Sequence, residues 1–531
     1  MLIDRNPNLI LYNGNCYTLS RPAVVRAIAI ADDRIMAMGS NKEIRKLASP
    51  KTRILDLRGL TVLPGFTDCH LHLYSYGTSL SRLNFRLYPT LQSALEEIGK
   101  RSANLEDDEW LLGRGWDKNY WGMREFPTRY DLDHVCSNPA AFFSHDGHSL
   151  WLNSKALKLL GIENRDDLQS NEMYRTDEKG ELTGILHEGA AYSADKMIPE
   201  PTFENKLKSI MLAQKRAFKM GVTGVHDFDE DKDKYRLLQH ASMTGKLRLK
   251  LLCAIRYEDF EDKEQFPVVS GFGSPNLRFG PLKLYADGAL GSQTADMFQP
   301  YEGSSNYGLG TLSADELTRI ITDAESKGLS CAIHAIGDKA NFNVMKAFES
   351  NSPPYTPLLP RRIEHVQLIR KQDIPLLKRT GAIASVQPSH LLADRDTADE
   401  YWGRRCRYAY AFRTMIKSRI RLCFGSDAPI EEINPLEAID AAVNRCEPND
   451  PRGAWYPDER ITVRQAVEAL TRNASILGGN SHQTGKITPG HLADVVILTD
   501  DIFKVRKRDI HTIKVASTIS SGKVVYNKEK L

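Results

Sequence analysis

Eight short apolar runs, alternating with segments of helical periodicity, constrain the middle of this chain more than any other feature. They are Gly65–Cys69, Gly221–Asp227, Arg248–Ile255, Pro281–Tyr285, Ser330–Ile333, Arg362–Glu364, Ile383–Gln387 and Arg421–Phe424. Strand alternating with helix argues for an α/β fold with a parallel sheet. Eight is the number of strands that closes a (β/α)8 TIM barrel. The helices announce their starts. Ser313 with Glu316 reads as a capping box ahead of Leu317, Ile320, Ile321 and Ala324, and Thr462 with Gln465 repeats the device. Asp373 is expected to cap a helix with Pro375 in its first turn, and Asp338 is expected as another N-cap.

One interval breaks the rhythm. Residues 73–220, between the first and second strands, exceed what one βα unit needs. Their own elements (Leu91–Ala103, Trp110–Trp116, Ala140–Ser144, Ser154–Leu160) predict an inserted subdomain over about 80–200. Barrel active sites are built from loops at the C-terminal ends of the strands, so the insertion is expected to form a wall or lid. The two chain ends carry β-branched runs broken by turn signals such as Asn13-Gly14 and Asp32-Asp33. Residues 1–63 and 481–531 are therefore expected to pair into a small β-sandwich flanking a barrel over 64–480.

At 531 residues there is room for a large enzyme with a satellite domain. A formal charge of +3 gives no argument for nucleic acid or an acidic membrane. No apolar run nears the ~20 residues that span a bilayer. The stretch Met1–Pro7 holds an acid and a proline where a signal peptide would be apolar, so a cytoplasmic protein is expected. Eight scattered cysteines without a CxxC pair argue against a disulfide frame or a thiolate zinc knuckle. Cys69 reads as a buried strand residue facing away from any ligands. The basic run Lys504–Arg508 reads as a solvated turn, and Gly271-Phe272-Gly273 lacks the Lys-Ser/Thr of a phosphate loop.

Chemistry enters at the strand ends. In PGFTDCHLH, His70 and His72 lie on one strand face, so both imidazoles can reach one ion. Asp68 shares that face and could orient a ligand histidine through its other ring nitrogen. Lys283, in GPLKLYADGALGS, sits in a buried strand. Either its ammonium pairs with Asp287, or the desolvated amine adds carbon dioxide. The resulting carbamate would bridge two cations ~3.5–4 Å apart. His334 in CAIHAIGDKA and His365 in RRIEHVQL suit a second ion. Asp427 in LCFGSDAP can touch a metal and the attacking water, which makes it the natural proton carrier.

These motifs resemble the amidohydrolase superfamily. The phrases GRGWDKNYW, DGHSLWLNSKAL, GILHEGA, KLYADGALGSQTA, IHAIGD, IEHVQL, QPSH and GSDAPI resemble its YtcJ-like branch, that of the N-substituted formamide deformylases. The ending GKITPGHLADVVIL is similar to that superfamily's return into its β-sandwich. The resemblance implies that His70 and His72 bind a first metal, Lys283 bridges as N6-carboxylysine, His334 and His365 bind a second metal, and Asp427 completes the site as base. Imidazole and carboxylate ligands suit zinc, as one or two ions.

Other residues admit two readings. Asp146 and His148 either face a substrate or make a structural Asp–His contact. Glu188 is a metal or substrate contact, or a buried carboxylate holding the insertion down. Trp116 and Asp117 shape the pocket, or Trp116 packs beneath a loop. Gln387 and His390 fall on the catalytic face without needing a metal role, and His226 reads as core. The leading expectation is a metal-dependent hydrolase of an amide-type C–N bond in a small molecule (N-substituted formamide or N-acyl amine). There a metal-bound hydroxide attacks the carbonyl, with Asp427 as proton shuttle. The rivals are an ester or carbamate hydrolase, a deaminase, and a non-catalytic barrel scaffold. Superfamily deaminases lack the bridging lysine, which Lys283 supplies. A homodimer is compatible with such a barrel.

Overall fold

The eight apolar runs form eight parallel strands in sequential order. They are β1 (Phe66–Leu71), β2 (Val222–Asp227), β3 (Lys250–Ile255), β4 (Leu277–Tyr285), β5 (Cys331–Ala335), β6 (Arg362–His365), β7 (Ile383–Val386) and β8 (Leu422–Phe424). The computed structural model describes residues 6–162, 173–261, 267–351 and 358–528, so the first five residues of the stretch Met1–Pro7, on which the cytoplasmic expectation rests, lie outside it. Central strands such as β2 and β3 are buried on both faces, as near-continuous apolar runs require. The sheet curls until β8 meets β1. The peptide after β8 pairs with β1 through a parallel bridge between Leu71 and Ala428, and His72 N donates to the Ala428 carbonyl at 2.8 Å. The result is a nearly closed TIM-type barrel.

Helices start where the capping boxes predict. Ser313 accepts from the backbone of Glu316, and Thr462 from that of Gln465. Two caps differ from expectation. The helix Asp338–Ser350 takes Gly337 as its N-cap, because the Asp338 carboxylate accepts the Phe298 N–H at 3.0 Å instead. Asp373 does take the N-cap position of the helix Ile374–Thr380, with Pro375 in its first turn, but its carboxylate accepts from Arg370 Nε at 2.6 Å and makes no capping bond.

The chain ends interleave in two sheets. One holds Arg34–Gly39, Ala27–Ala31, Leu9–Tyr12 and Arg53–Asp56. The other runs from Lys523–Asn527 through Val515–Ser520 and Val495–Leu498 to Thr61–Pro64, Asn15–Tyr17 and Val24–Val25. In it Val495–Leu498 pairs antiparallel with Thr61–Pro64. Leu11, Ile28 and Ile30 share one buried cluster with Val62, Val495, Ile497 and Ile519. The basic run is exposed, with Lys504 on Asp501 and Arg506 on Asp509.

Gly77–Leu212 form a compact unit of their own. Its sheet contains Leu83–Asn84, Leu111–Trp116, Ala140–Ser144, Ser149–Leu152, Leu182–His187 and Tyr174–Thr176, and the helix Leu91–Ser102 contributes Ala94 and Ile98 to its core. Among the described residues no helix is long and apolar enough to cross a membrane.

Candidate metal centre at the barrel rim

Strand parity sets up the first cluster. On β1, Asp68 and His70 alternate with Cys69, which is buried against Ile383, Cys423, Ala474 and Leu477. His72 follows the strand and precedes the helix Leu73–Ser81. That helix start is held from β2: Asp227 Oδ1 accepts the Leu73 N–H at 2.9 Å, and Asp229 Oδ2 accepts the Ser75 N–H at 2.8 Å. Two buried carboxylates, neither singled out in the sequence, thus fix where His72 stands.

Asp427 reaches this cluster from the turn after β8. Its Oδ1 lies 3.4 Å from His70 Nε2 and 3.3 Å from His72 Nε2. Its Oδ2 lies 3.9 Å from His390 Nε2. Donor atoms of His70, His72 and Asp427 all fall within 4.8 Å of one another, as do those of His365, His390 and Asp427. Asp427 therefore belongs to both groups. Asp427 and His365 have φ of 60° and 73°, in the left-handed region that side chains of L-residues enter at a cost. Such outliers concentrate at functional sites.

His365 ends β6. Gln387, just beyond β7, accepts from its Nδ1 at 2.8 Å, leaving Nε2 for the centre. His390 stacks against His365, with ring centroids 6.3 Å apart and planes 12° apart. Nε2 of His390 and Nε2 of Gln387 are buried without hydrogen-bond partners among the described residues. His334, at the end of β5, packs its ring 4.5 Å from that of His365. Its Nε2 sits 3.0 Å from the Gly288 carbonyl.

Lys283 on β4 is 2% exposed. Burial pulls its ammonium down to about 8, against the upward pull of Glu364 and Asp427. The pairing with Asp287 does not form. That carboxylate accepts the N–H groups of Asp296, Ile336 and Gly337 instead. The Lys283 ammonium lies 4.9 Å from the Phe228 ring centre and 4.7 Å from that of Tyr285.

The carboxylate that orients His70 is not Asp68. Asp68 accepts the backbone N–H of His70 at 3.1 Å and of Ser426 at 3.0 Å, so it ties β1 to the β8 turn. His70 Nδ1 instead meets Glu364 Oε2 at 2.6 Å. Glu364 is gripped by Arg362, whose Nη2 also reaches Ser385 and the Cys69 carbonyl, and whose Nη1 reaches His226. The signal for Glu364 was an acid and a base two positions apart on one strand face in RRIEH.

The remaining candidates lie in the insertion. Trp116 is a core residue rather than a pocket wall: it is 2% exposed, and its Nε1 donates to the Phe142 carbonyl. Asp117 accepts the Asn119 N–H at 2.8 Å and stabilises a turn. Asp146 accepts from Ser144 Oγ and from the His148 backbone, and these bonds lower its carboxyl pKa. The His148 ring meets Glu188 Oε2 at 3.2 Å, and both side chains are exposed, so Glu188 is not a buried clamp.

The donor set fits a divalent cation. Burial holds His70 down at about 4, His334 at about 3 and His365 well below the usual histidine value, with Lys283 adding to the effect. Neutral imidazoles offer lone pairs. Those of His70 and His365 fall in the donor groups around Asp427, whereas His334 belongs to neither group and His390, expected to need no metal role, belongs to one.

Comparison with known proteins places the chain in a family. Residues 53–526 match the model of the amidohydrolase family. The chain is 30% identical to the Bacillus subtilis (strain 168) protein named amidohydrolase YtcJ, over 98% of this chain and 99% of that one. It is 25% identical to N-substituted formamide deformylase of Arthrobacter pascens, over 98% of each. A solved structure of a metal-dependent hydrolase from Pyrococcus horikoshii OT3 superposes with a TM-score of 0.74 at 28% identity, covering 94% of this chain and 99% of that one. The chain belongs to the amidohydrolase family, in its YtcJ-like branch, and is a hydrolase acting on carbon–nitrogen bonds.

Proposed function

We propose that this hydrolase cleaves the amide bond of a small N-substituted formamide or N-acyl amine. In this reading His70, His72, His334, His365 and Asp427 would hold one or two zinc ions, and Lys283, once carboxylated at Nζ, would add a further oxygen ligand. The observation that carries the reading is the position of Asp427, common to two groups of donor atoms, beside a buried lysine with no carboxylate partner among the described residues. A lysine desolvated to about 8 keeps an appreciable neutral fraction near pH 7, the form that adds carbon dioxide.

Bound zinc would polarise the scissile carbonyl and lower the pKa of a water towards ~7. The protein's own part is proton transfer and orientation. Burial alone would raise the Asp427 carboxyl, but His70, His72, His365 and His390 outweigh it and hold it well below the usual carboxylate range. It is therefore ionised and ready to accept a proton from the attacking water. Its Oδ2, turned towards His390, carries that proton to the departing nitrogen. The partnerless Nε2 of His390 is available to the substrate carbonyl. The relative from Arthrobacter pascens acts, by its name, on N-substituted formamides, which supports the formyl class.

The test is hydrolysis by zinc-loaded protein across panels of N-formyl amines, N-acyl amino acids and cyclic amides. Release of formate or acid with free amine supports the reading. Turnover of esters alone, or ammonia released from a ring, overturns it.

A further inference from the structure

At the centre of the barrel lies a charged pair that the proton-transfer chemistry does not use. Arg362 is 1% exposed and Glu364 0%. Taking two ions out of water costs several kcal/mol per ion, and apolar residues in such places are often as stable or more so. Fold stability alone gives no reason for the pair.

Its geometry does. Glu364 binds Arg362 through both oxygens, and Oε2 also meets His70 Nδ1 at 2.6 Å. A carboxylate that is ionised can only accept, so Nδ1 carries the hydrogen. Nε2 then keeps its lone pair, and Nε2 is the atom that faces Asp427 at 3.4 Å. Arg362 is itself immobilised from three strands: Cys69 O on β1 at 2.5 Å, His226 Nδ1 on β2 at 2.8 Å and Ser385 Oγ on β7 at 2.9 Å. The Phe228 ring stacks on His70, with centroids 4.4 Å and planes 20° apart.

We infer that Glu364, clamped by Arg362, is a positioning residue that sets the tautomer and direction of His70 and so governs metal affinity. The inference rests on the metal-dependent reading of the site. Removal of such a partner costs ~10–100-fold in metal affinity.

The experiment is zinc titration, with a competing chelator, of wild type, Glu364→Gln and the double variant Arg362→Met/Glu364→Leu. Circular dichroism confirms that each is folded. Both variants are expected to bind zinc ~10–100-fold more weakly while retaining the barrel. A Glu364→Gln dissociation constant within about twofold of wild type overturns the inference but leaves the metal-dependent reading standing. A wild type with no zinc affinity overturns both. Should the variants fail to fold, the zinc-loaded wild-type crystal structure decides: zinc on His70 Nε2 with Glu364 on Nδ1 is expected, and zinc on Nδ1 overturns the inference.

Discussion

Asp427 and His70 are joined twice. The Asp427 backbone N–H donates to the His70 carbonyl at 2.7 Å, and Asp427 Oδ1 lies 3.4 Å from His70 Nε2. The first bond belongs to the seam where β8 meets β1, and the second to the proposed proton-transfer site. The seam that closes the barrel thus also brings Asp427 beside the His70 ring. Substituting Asp427→Asn should leave the backbone bond intact and remove only the proposed proton carrier. Turnover should fall at least ~10²-fold while zinc per chain stays near wild type. Full activity in that variant would remove Asp427 from its role.

Lys283 offers a chemical test. Methionine suits the aromatic surroundings of Phe228 and Tyr285, so Lys283→Met should fold and yet hold less zinc than wild type. If the carbamate is real, wild-type protein stripped of metal in carbon-dioxide-free buffer should reload fully only when bicarbonate accompanies zinc. Equal reloading without bicarbonate would show that Lys283 stays an amine.

The eight strands were legible because β-branched runs between turn signals are a local property, and the ligand residues were legible because they sit at strand ends. What the sequence hid is who partners whom across the barrel. Asp68 is near His70 in sequence but serves the backbone. Glu364, 294 positions away, serves the ring. Likewise GRGWDKNYW could not reveal that Trp116 would pack into the insertion's core, because an aromatic on a strand suits either face. The Asp338 cap failed for a tertiary reason: Phe298, from a distant loop, claims its carboxylate.

Trp116 therefore yields a stability prediction. With its ring buried against Phe126 and Trp151, Trp116→Ala should destabilise the insertion by ~3–5 kcal/mol. Thermal unfolding should show that loss. Zinc per chain in the folded fraction should not change. A variant with normal stability but an altered substrate preference would return Trp116 to the pocket.

A buried ion pair couples the barrel to the C-terminal strands. Lys250 on β3 binds Asp494, and its Nζ also reaches Ser520 Oγ at 2.9 Å. Lys250→Met strands a buried carboxylate and should cost ~3–5 kcal/mol, whereas Lys250→Met with Asp494→Leu should recover much of it. Chemical denaturation of the two variants checks the difference. Equal losses would mean that the pair contributes packing alone.

Gly425 tests whether seam and site are one unit. A Cβ built there would lie 2.5 Å from the His70 N, 2.7 Å from its Cβ and 2.9 Å from its Cα. These are backbone atoms and the root of the side chain, so no rotamer change can make room, and β1 or the β8 turn must move. Overpacking of this kind costs ~1–3 kcal/mol. Because the atoms displaced belong to His70 itself, Gly425→Ala should lose zinc along with stability. Gly291, with nothing within 4 Å of its hypothetical Cβ, is the control, and Gly291→Ala should change neither. Measuring Tm and zinc per chain on both variants separates the cases. A Gly425→Ala protein that is less stable but fully loaded would show that His70 is held by Glu364 and Phe228 independently of the seam.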